Sequence, residues 1–436
     1  MTRVRARSNF VFKIPQLTMG CPNAEFEPTS AFKTALRFMT LVFNQDTGGS
    51  PAVHALVIGV GSYDHLQGGG TPADPAITEN MGQLDSPPIS ARRFCEWLLD
   101  QYQDEDARLS SVDLLISDAQ DHSFAVPTAG GPAKIVDLEQ ADIAAISLAA
   151  RAWKARGKPD DLMIFFFCGH GVVSGFKTAL LASDFAKDDE LPWDGAFSFS
   201  DFCENMRSCR AKRQVFFVDA CRVSSDALLR NTTATLTTLV GTKLPLSPGV
   251  QQAVYFSTLA GAQAFGRVGE ASLFTVALLR SLTGLGTSDH DDYWSVETIG
   301  VQRGLATALS DLYDWRLGSV QTPQTGAQSA FEIGRLSQVP SVPLYLAPSW
   351  HKGEEPPDAI NSVLINREAE EVCAWAAPWE QSEHIEWKPN RFMSNLEAGS
   401  RYSCVVRYGD GSMFISPPRT LSPPYRKIEV PENGHA

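Results

Sequence analysis

Short runs of almost purely apolar residues recur through the middle of the chain, and segments with helical periodicity lie between them. Apolar runs of this length, bounded by glycine or polar residues, are typical of strands that are buried on both faces of a parallel sheet. Their alternation with helices predicts an α/β fold, in which helices cover both faces of a mostly parallel sheet. Strands are predicted over residues 53–60, 112–116, 162–167, 215–218 and 253–256, and helices over residues 89–102, 135–156, 202–210, 273–282 and 296–315.

Changes in composition divide the 436-residue chain into regions. Residues 1–50 lack clear periodicity, which is typical of a leader or cover segment. Prolines cluster after residue 336, and the short β-type runs that follow include a predicted hairpin turn at residues 408–411. We therefore predict an N-terminal segment at 1–50, an α/β domain at 51–336 and a small β-rich accessory domain at 337–436.

Composition also excludes several classes of protein. A net charge of −13 argues against a general nucleic-acid binder, which needs a basic surface. No run of 18 apolar residues predicts a membrane span, and the apolar run at 38–43 is too short and too late for a secretion signal. The eight cysteines are dispersed and form no C-x-x-C pair, which disfavours both a zinc knuckle and a disulfide scaffold. We expect a cytoplasmic protein that binds neither nucleic acid nor membrane.

Two of the predicted strands end in residues capable of nucleophilic chemistry. The strand at 162–167 leads into a Gly-His-Gly sequence around His170, and the strand at 215–218 leads into Asp-Ala-Cys, which ends at Cys221. Ligands of open α/β sheets bind at the carboxyl ends of the strands, so we expect these two side chains to meet at one edge. A nearby imidazole takes the thiol proton and later delivers a proton to a leaving amine. The amides of Gly171 and Cys221 are candidate donors to a tetrahedral oxyanion.

This pair of strand endings resembles the caspase and metacaspase families. His170 precedes Cys221 by 51 residues, and the interval in caspases is about 50. The resemblance covers roughly residues 53–335 and implies a bacterial-type caspase-like cysteine peptidase with the caspase-hemoglobinase fold. Two positions depart from the caspase pattern, since Asp219 replaces Gln and Val223 replaces Gly. Further similar segments, at 57–63, 178–184 and 254–258, occur in the family's order, and the last implies a substrate-binding role for Ser257 and Thr258.

The residue two positions before the nucleophile bears on specificity. Asp219 lies on the same strand face as Cys221, so its carboxylate would attract Arg or Lys before the scissile bond. Metacaspases have a similar acidic residue, which implies cleavage after basic residues, whereas true caspases cut after Asp. The second acidic residue of metacaspases is replaced here by Ser90, with Asp85 nearby but shifted. The alternative role for Asp219 is that of a hydrogen-bonding residue at the end of a strand.

Regulation is predicted from a long polar segment and from carboxylates. Residues 224–248 contain Arg230 and Lys243, which we regard as candidate self-processing sites. The resemblance to metacaspases implies that calcium could be needed. Neither of the two acidic clusters in the chain follows an EF-hand pattern, so we expect no metal site and no cofactor, with calcium binding left open. The two clusters are Asp188, Asp189 and Glu190, and Asp289, Asp291 and Asp292.

These observations together predict a regulated cysteine endopeptidase that acts on protein substrates, cleaves after Arg or Lys and processes itself. By analogy it resembles bacterial caspase-like proteases of stress or antiviral defence. The C-terminal β domain would recruit a substrate or a regulatory protein, or cover an edge of the α/β domain. A catalytically silent caspase-fold scaffold that binds protein partners is the alternative from another class. An esterase or transferase that uses the same dyad is a third interpretation.

Overall fold

The computed structural model describes residues 40–434 except 129–130, 175–176, 225–235, 243, 245, 259–268, 313–320, 354, 369, 378–383 and 389. The strands are β1 Leu41–Asn44, β2 Ala52–Val60, β3 Arg108–Ser117, β4 Ser123–Thr128, β5 Gly131–Asp137, β6 Leu162–Gly169, β7 Gly171–Ser174, β8 Lys177–Leu181, β9 Ala196–Ser198, β10 Arg213–Ala220, β11 Val223–Ser224, β12 Gln251–Phe256, β13 Thr287–Asp289, β14 Trp294–Glu297, β15 Gln324–Gln328, β16 Glu332–Leu336, β17 Ser341–Ala347, β18 Ile360–Arg367, β19 Glu370–Ala376, β20 Glu386–Lys388, β21 Arg391–Glu397, β22 Arg401–Tyr408, β23 Met413–Ile415, β24 Arg419–Thr420 and β25 Arg426–Glu429. The helices are α1 Pro75–Thr78, α2 Ser86–Asp100, α3 Ile143–Arg156, α4 Phe199–Met206, α5 Leu273–Arg280 and α6 Thr298–Leu312, with a 3₁₀ turn at Pro192–Gly195 and a π-helical turn at Ser281–Leu285.

A seven-stranded sheet with the order β1-β3-β2-β6-β10-β12-β15 forms the centre of the fold. Its five inner strands pair in parallel, and the antiparallel strands β1 and β15 form the edges. Every residue of β2 and β6 is buried, as expected for parallel strands that are covered on both faces. Each predicted strand lies within one of these inner strands.

Helices cover both faces of this sheet because successive strand residues point to opposite sides. On one face, Val57 and Phe166 belong to a core shared with α2, α5 and α6. On the other face, Ile58 and Phe165 pack in a second core with α3 and α4. The predicted fold class, a mostly parallel sheet between helices followed by a strand-rich C-terminal region, is confirmed.

Two predicted helices begin later in the structure than the sequence indicated. The helix predicted from residue 135 begins at Ile143, where the Asp142 carboxylate caps the helix by accepting from the amide of Ala145 at 2.7 Å. The preceding residues form β5, which pairs with β4, so this part of the prediction was wrong. The helix predicted from residue 296 begins at Thr298, because residues 294–297 form β14 between β13 and β16.

The C-terminal region consists mainly of two sheets, with the orders β20-β21-β17-β25 and β19-β18-β22-β23. The predicted turn at 408–411 joins the antiparallel strands β22 and β23. Val342 and Leu344 of β17 belong to the same hydrophobic core as Leu285 and Leu305 of the α/β region. The C-terminal strands therefore pack directly against the α/β region, and the domain boundary at 336/337 stays a prediction.

Candidate active site

The register of the central strands determines where the two predicted catalytic residues lie. Ala220, the last residue of β10, lies opposite Gly169, the last residue of β6. Beyond them, Val223 of β11 lies opposite Val172 of β7, with the same register. His170 and Cys221 are therefore level with each other, at the carboxyl ends of adjacent parallel strands.

The chain segments that carry these two residues are in close contact. A Cβ atom on Gly171 would lie 2.8 Å from the carbonyl oxygen of Cys221 and 2.9 Å from the Cβ of Ala220. Only glycine allows such an approach without a backbone shift. The contact brings together the backbones of Gly171 and Cys221, the two predicted oxyanion donors.

A backbone carbonyl holds the His170 ring. Nε2 of His170 lies 2.7 Å from the carbonyl oxygen of Gly82. A carbonyl oxygen only accepts, so Nε2 carries the proton and Nδ1 is the unprotonated nitrogen of the neutral ring. Burial lowers the pKa of His170, and the contact with Gly82 partly offsets this effect. The imidazole therefore favours the neutral form, which is able to accept a proton.

Tyr63 holds the backbone of the same histidine. Its hydroxyl oxygen accepts from the amide of His170 at 2.8 Å, and the two ring centroids are 5.0 Å apart. A Cβ atom on Gly169 would lie 2.9 Å from this hydroxyl, so glycine at that position leaves room for it. Gln83 in turn bonds the backbone of Tyr63. Sequence reasoning missed these contacts; the one signal was the family-like segment that ends at Tyr63.

Asp219 is buried, with 3% of its surface exposed. Its carboxylate accepts from the hydroxyls of Ser272 and of Thr275, the latter at 2.9 Å, at the start of α5. Burial raises the pKa of Asp219, and these hydroxyls lower it in part. The contacts agree with the hydrogen-bonding alternative for Asp219, and its substrate-binding role stays a prediction.

Ser257 and Thr258 are buried at the end of β12. The hydroxyl of Ser257 donates to the carbonyl of Ala220 at 3.1 Å, and its amide donates to the carbonyl of Val218 at 2.9 Å. These bonds fix the end of β12 beside the strand that leads to Cys221. Thr258 is the last described residue before position 269.

Arg222 directly follows the predicted nucleophile. Its guanidinium lies 4.1 Å from the centroid of the Phe256 ring and donates to the side-chain oxygen of Gln324. Burial lowers the pKa of Arg222. These contacts join the chain after Cys221 to β12 and β15.

The structure describes only some of the regulatory candidates. Arg230 and Lys243 are not among the described residues. In the part of the chain that the structure describes, no group of three His, Cys, Asp or Glu side chains could hold a metal ion. Asp188 accepts from the backbone amide of Glu190 at 2.9 Å, and Asp289 accepts from that of Asp291 at 3.0 Å, so each carboxylate supports its own turn.

None of the helices in the described ranges combines the length and apolar character that crossing a bilayer requires.

Comparison with known proteins gives a family assignment. The family model of the caspase domain (Peptidase_C14) matches residues 52–299, more than half of the chain. A relative from Sinorhizobium fredii, "Uncharacterized protein y4kE", is 28% identical over 152 residues, which cover 34% of this chain and 44% of the relative. The match thus spans less than half of that relative's length.

Two solved structures are also similar. A protein of Geobacter sulfurreducens is 14% identical with a TM-score of 0.37, and the match covers 64% of this chain and 95% of that protein. Caspase-1 from Spodoptera frugiperda is 10% identical with a TM-score of 0.38, and the match covers 66% and 93%. On the match to the family model, the chain belongs to the caspase-domain family of cysteine-type peptidases.

Proposed function

We propose that this protein is a cysteine endopeptidase in which Cys221 is the nucleophile and His170 is its proton-transfer partner. The observation that supports this most strongly is the register of β6 and β10, which brings the two residues level at the rim of the sheet. The family match and the neutral His170 imidazole, with its proton on Nε2, support the same chemistry.

The proposed reaction proceeds through an acyl-enzyme. Nδ1 of His170 takes the proton from the Cys221 thiol, and the sulfur attacks the carbonyl carbon of the scissile bond. The resulting oxyanion accepts from the amides of Gly171 and Cys221. The imidazolium then gives its proton to the leaving amine as the C–N bond breaks, and water hydrolyses the thioester with His170 again as the base.

Variants of the two residues test this proposal. We expect Cys221→Ala and His170→Ala each to lower kcat for a fluorogenic peptide by at least about 1,000-fold, because the dyad acts as a unit. Cys203→Ala is the matched control, since it removes a thiol from α4. New N-termini produced in a proteome by wild type but not by Cys221→Ala would identify the substrates.

A thiol-reactive probe separates the peptidase from a silent scaffold. We expect labelling at Cys221 and not at Cys168, whose pKa is raised well above its ordinary value by burial and by the nearby Asp219. If wild type and Cys221→Ala produce the same N-termini in a proteome, and the probe does not label Cys221, the scaffold would be favoured. Turnover of esters but not of peptides would favour the esterase.

The proposed preference is for Arg or Lys before the scissile bond. Asp219 lies two residues before Cys221, and its bonded partners are neutral hydroxyls and the neutral Cys168 thiol. No arginine or lysine in the described ranges pairs with it. A cationic side chain that reaches this carboxylate would therefore gain a favourable interaction. We expect Arg and Lys peptides to be cleaved faster than Asp peptides, and Asp219→Asn to reduce that difference. Faster cleavage of Asp peptides, or an equal loss on all peptides, would remove the assignment.

The proposed regulation is self-cleavage after Arg230 or Lys243, with protein partners that bind the C-terminal region. Cellular roles in stress or antiviral defence follow from analogy with bacterial caspase-like proteases. We expect the fully active protein to migrate as two fragments and the double variant Arg230→Ala, Lys243→Ala to stay intact. Full activity of a single intact band would exclude self-cleavage as the activating step.

A further inference from the structure

We propose that Tyr63 and Gln83 are positioning residues that hold His170 in the tautomer and orientation needed for proton exchange with Cys221. The proposal rests on the proposed function, because it assigns a purpose to the geometry of the proposed base. It adds residues that lie far from both strand ends in sequence and that act through the position of His170.

The first part of the argument concerns the carbonyl that holds the imidazole ring. Gly82 lies between α1 and α2, outside both helices, where it forms an isolated bridge with Gln67. A carbonyl in such a connection orients a catalytic ring only if its own peptide is fixed. Gln83, the next residue, has the contacts that fix it.

Gln83 binds the backbone of a neighbouring loop at three points. Its side-chain oxygen accepts from the amide of Tyr63 at 2.7 Å. Its side-chain nitrogen donates to the carbonyls of Tyr63 at 2.9 Å and Gln67 at 3.1 Å. An amide side chain that pairs with both backbone groups of one residue has little freedom to rotate. The adjacent Gly82 peptide is thereby joined to the residue that holds His170 from its other side.

The second part concerns the hydroxyl of Tyr63. This side chain is fully buried, and its oxygen accepts from the amide of His170. The aromatic ring of Tyr63 would be enough to fill the core. The hydroxyl extends further, into the space that a Cβ atom on Gly169 would occupy. The polar end of Tyr63 is therefore directed at the backbone of the proposed base.

Together these contacts close a ring of bonds around His170. The imidazole donates to Gly82, the side chain of Gln83 binds the backbone of Tyr63, and the hydroxyl of Tyr63 binds the amide of His170. The histidine is thus held at its backbone by Tyr63 and at its ring by Gly82, and Gln83, the neighbour of Gly82, joins the two through its bonds to Tyr63. Misplacement of a catalytic group by 1 Å can cost about 100-fold in rate.

The test uses Tyr63→Phe and Gln83→Met, which keep the size of each side chain and remove its hydrogen bonds. We expect each variant to lower kcat by about 10-fold to 100-fold with little change in KM, because both residues act on the position of the base. We also expect the acidic limb of the pH profile of Gln83→Met to move to lower pH, since the Gly82 contact raises the pKa of His170.

Matched controls come from the opposite end of the sheet. Tyr102, which is partly buried, donates its hydroxyl to the carbonyls of Ala107 and Ile333, each at 3.1 Å. Gln214, at the start of β10, donates to the carbonyls of Met206 and Ala211. Tyr102→Phe and Gln214→Met are the same types of substitution and remove hydrogen bonds to backbone carbonyls, and we expect them to lower the melting temperature without changing kcat.

A readout that does not depend on activity separates this proposal from the proposed function. In protein carrying ¹⁵N-labelled histidine, NMR assigns His170 by its loss in His170→Ala, and we expect a single tautomer protonated at Nε2 in wild type. We expect mixed tautomers in Tyr63→Phe and Gln83→Met. Wild-type kcat and a single tautomer in both variants would overturn the positioning role, as would equal losses of kcat in the controls. Equal activity of wild type and Cys221→Ala would instead contradict the proposed function, and the tautomer measurement would still decide the positioning role.

Discussion

Two cysteines near the rim of the sheet have different environments although they lie on adjacent strands. Cys168 lies within β6, opposite Asp219 of β10, and is buried. Burial and this carboxylate raise the pKa of its thiol well above the ordinary value, so it stays protonated. Cys221 lies one residue beyond the end of β10 and is partly exposed. At the scale of single residues, position relative to the strand end therefore decides which thiol is available for chemistry.

The protonation state of His170 predicts how peptide hydrolysis depends on pH. Burial lowers its pKa, with a smaller opposing effect of the Gly82 carbonyl, so the neutral ring persists below the ordinary value of about 6.5. If the neutral imidazole is the base, kcat/KM should fall only as the pH drops through this lowered value. We expect the acidic limb of the pH profile for peptide hydrolysis to lie below 6.5. A limb clearly above 6.5 would contradict a buried, neutral base.

At the scale of secondary-structure elements, one buried carboxylate joins the beginnings of two central strands. Asp161 precedes β6 and accepts from the amide of Ala52, the first residue of β2, at 2.9 Å. It also accepts from the amide of Lys158 at 2.8 Å and lies 3.3 Å from Nε2 of His54. These contacts align β2 and β6, and the same alignment carries through to His170 at the far end of β6.

Replacement of this carboxylate should lower stability. We expect Asp161→Asn to reduce the free energy of unfolding by about 1.5–3 kcal/mol, because a side-chain NH₂ replaces one oxygen that accepts from backbone amides. Urea denaturation at pH 7 measures the loss, and Asp160→Asn at the exposed neighbouring position is the control. Equal midpoints for the two variants would contradict the role of Asp161.

The same residue predicts a dependence of stability on pH. Burial raises the pKa of Asp161, but the bonds from His54 and from the amides of Lys158 and Ala52 lower it more, so the net shift is downward. A lowered pKa in the folded state stabilises the protein above the unfolded value of about 3.9, and this stabilisation is lost as the pH falls through the folded value. We expect the gap in stability between wild type and Asp161→Asn to shrink as the pH falls through that range.

At the scale of the whole molecule, a buried charge cluster joins the α/β region to the C-terminal strands. Asp311 of α6 accepts from the hydroxyl of Tyr345 at 2.5 Å and from Arg391 at 2.5 Å, both in the C-terminal region. It also pairs with Arg280, at the end of α5, at 3.3 Å. Since the start of α5 supplies the hydroxyls that bind Asp219, a single helix connects this cluster with the rim that carries His170 and Cys221.

Removal of the charge on Asp311 should lower the stability of the folded protein. We expect Asp311→Asn to lower the free energy of unfolding by about 3 kcal/mol, because it leaves two arginines without their common partner. Glu397→Gln is the control, since it breaks a pair with Arg367 in which both side chains are exposed and should cost under about 1 kcal/mol. Similar melting temperatures for the two variants would show that the cluster does not hold the regions together.

Much of the fold, and the placement of His170 and Cys221 at one rim, could be predicted because their signals are local. A strand that is buried on both faces must be apolar along its length, so β2, β6 and β10 are visible as runs in the sequence. The carboxyl ends of parallel neighbours share one rim, so His170 and Cys221 could be placed together without knowledge of other contacts. The helix predicted from residue 135 failed because pairing with β4, a contact outside the segment itself, decided its structure.

The surroundings of these residues were decided only by tertiary structure. The Gly82 carbonyl that orients His170 has no sequence signature, since every residue carries the same group. The partners of Asp219 come from α5, and the bond between Tyr63 and His170 spans 107 residues of chain. The sequence alone therefore determined which five strands form the parallel centre of the sheet and which reactive residues end two of them. Three-dimensional packing determined how those residues are held, because hydrogen bonds between distant segments depend on their spatial arrangement and not on the residues next to them in the sequence.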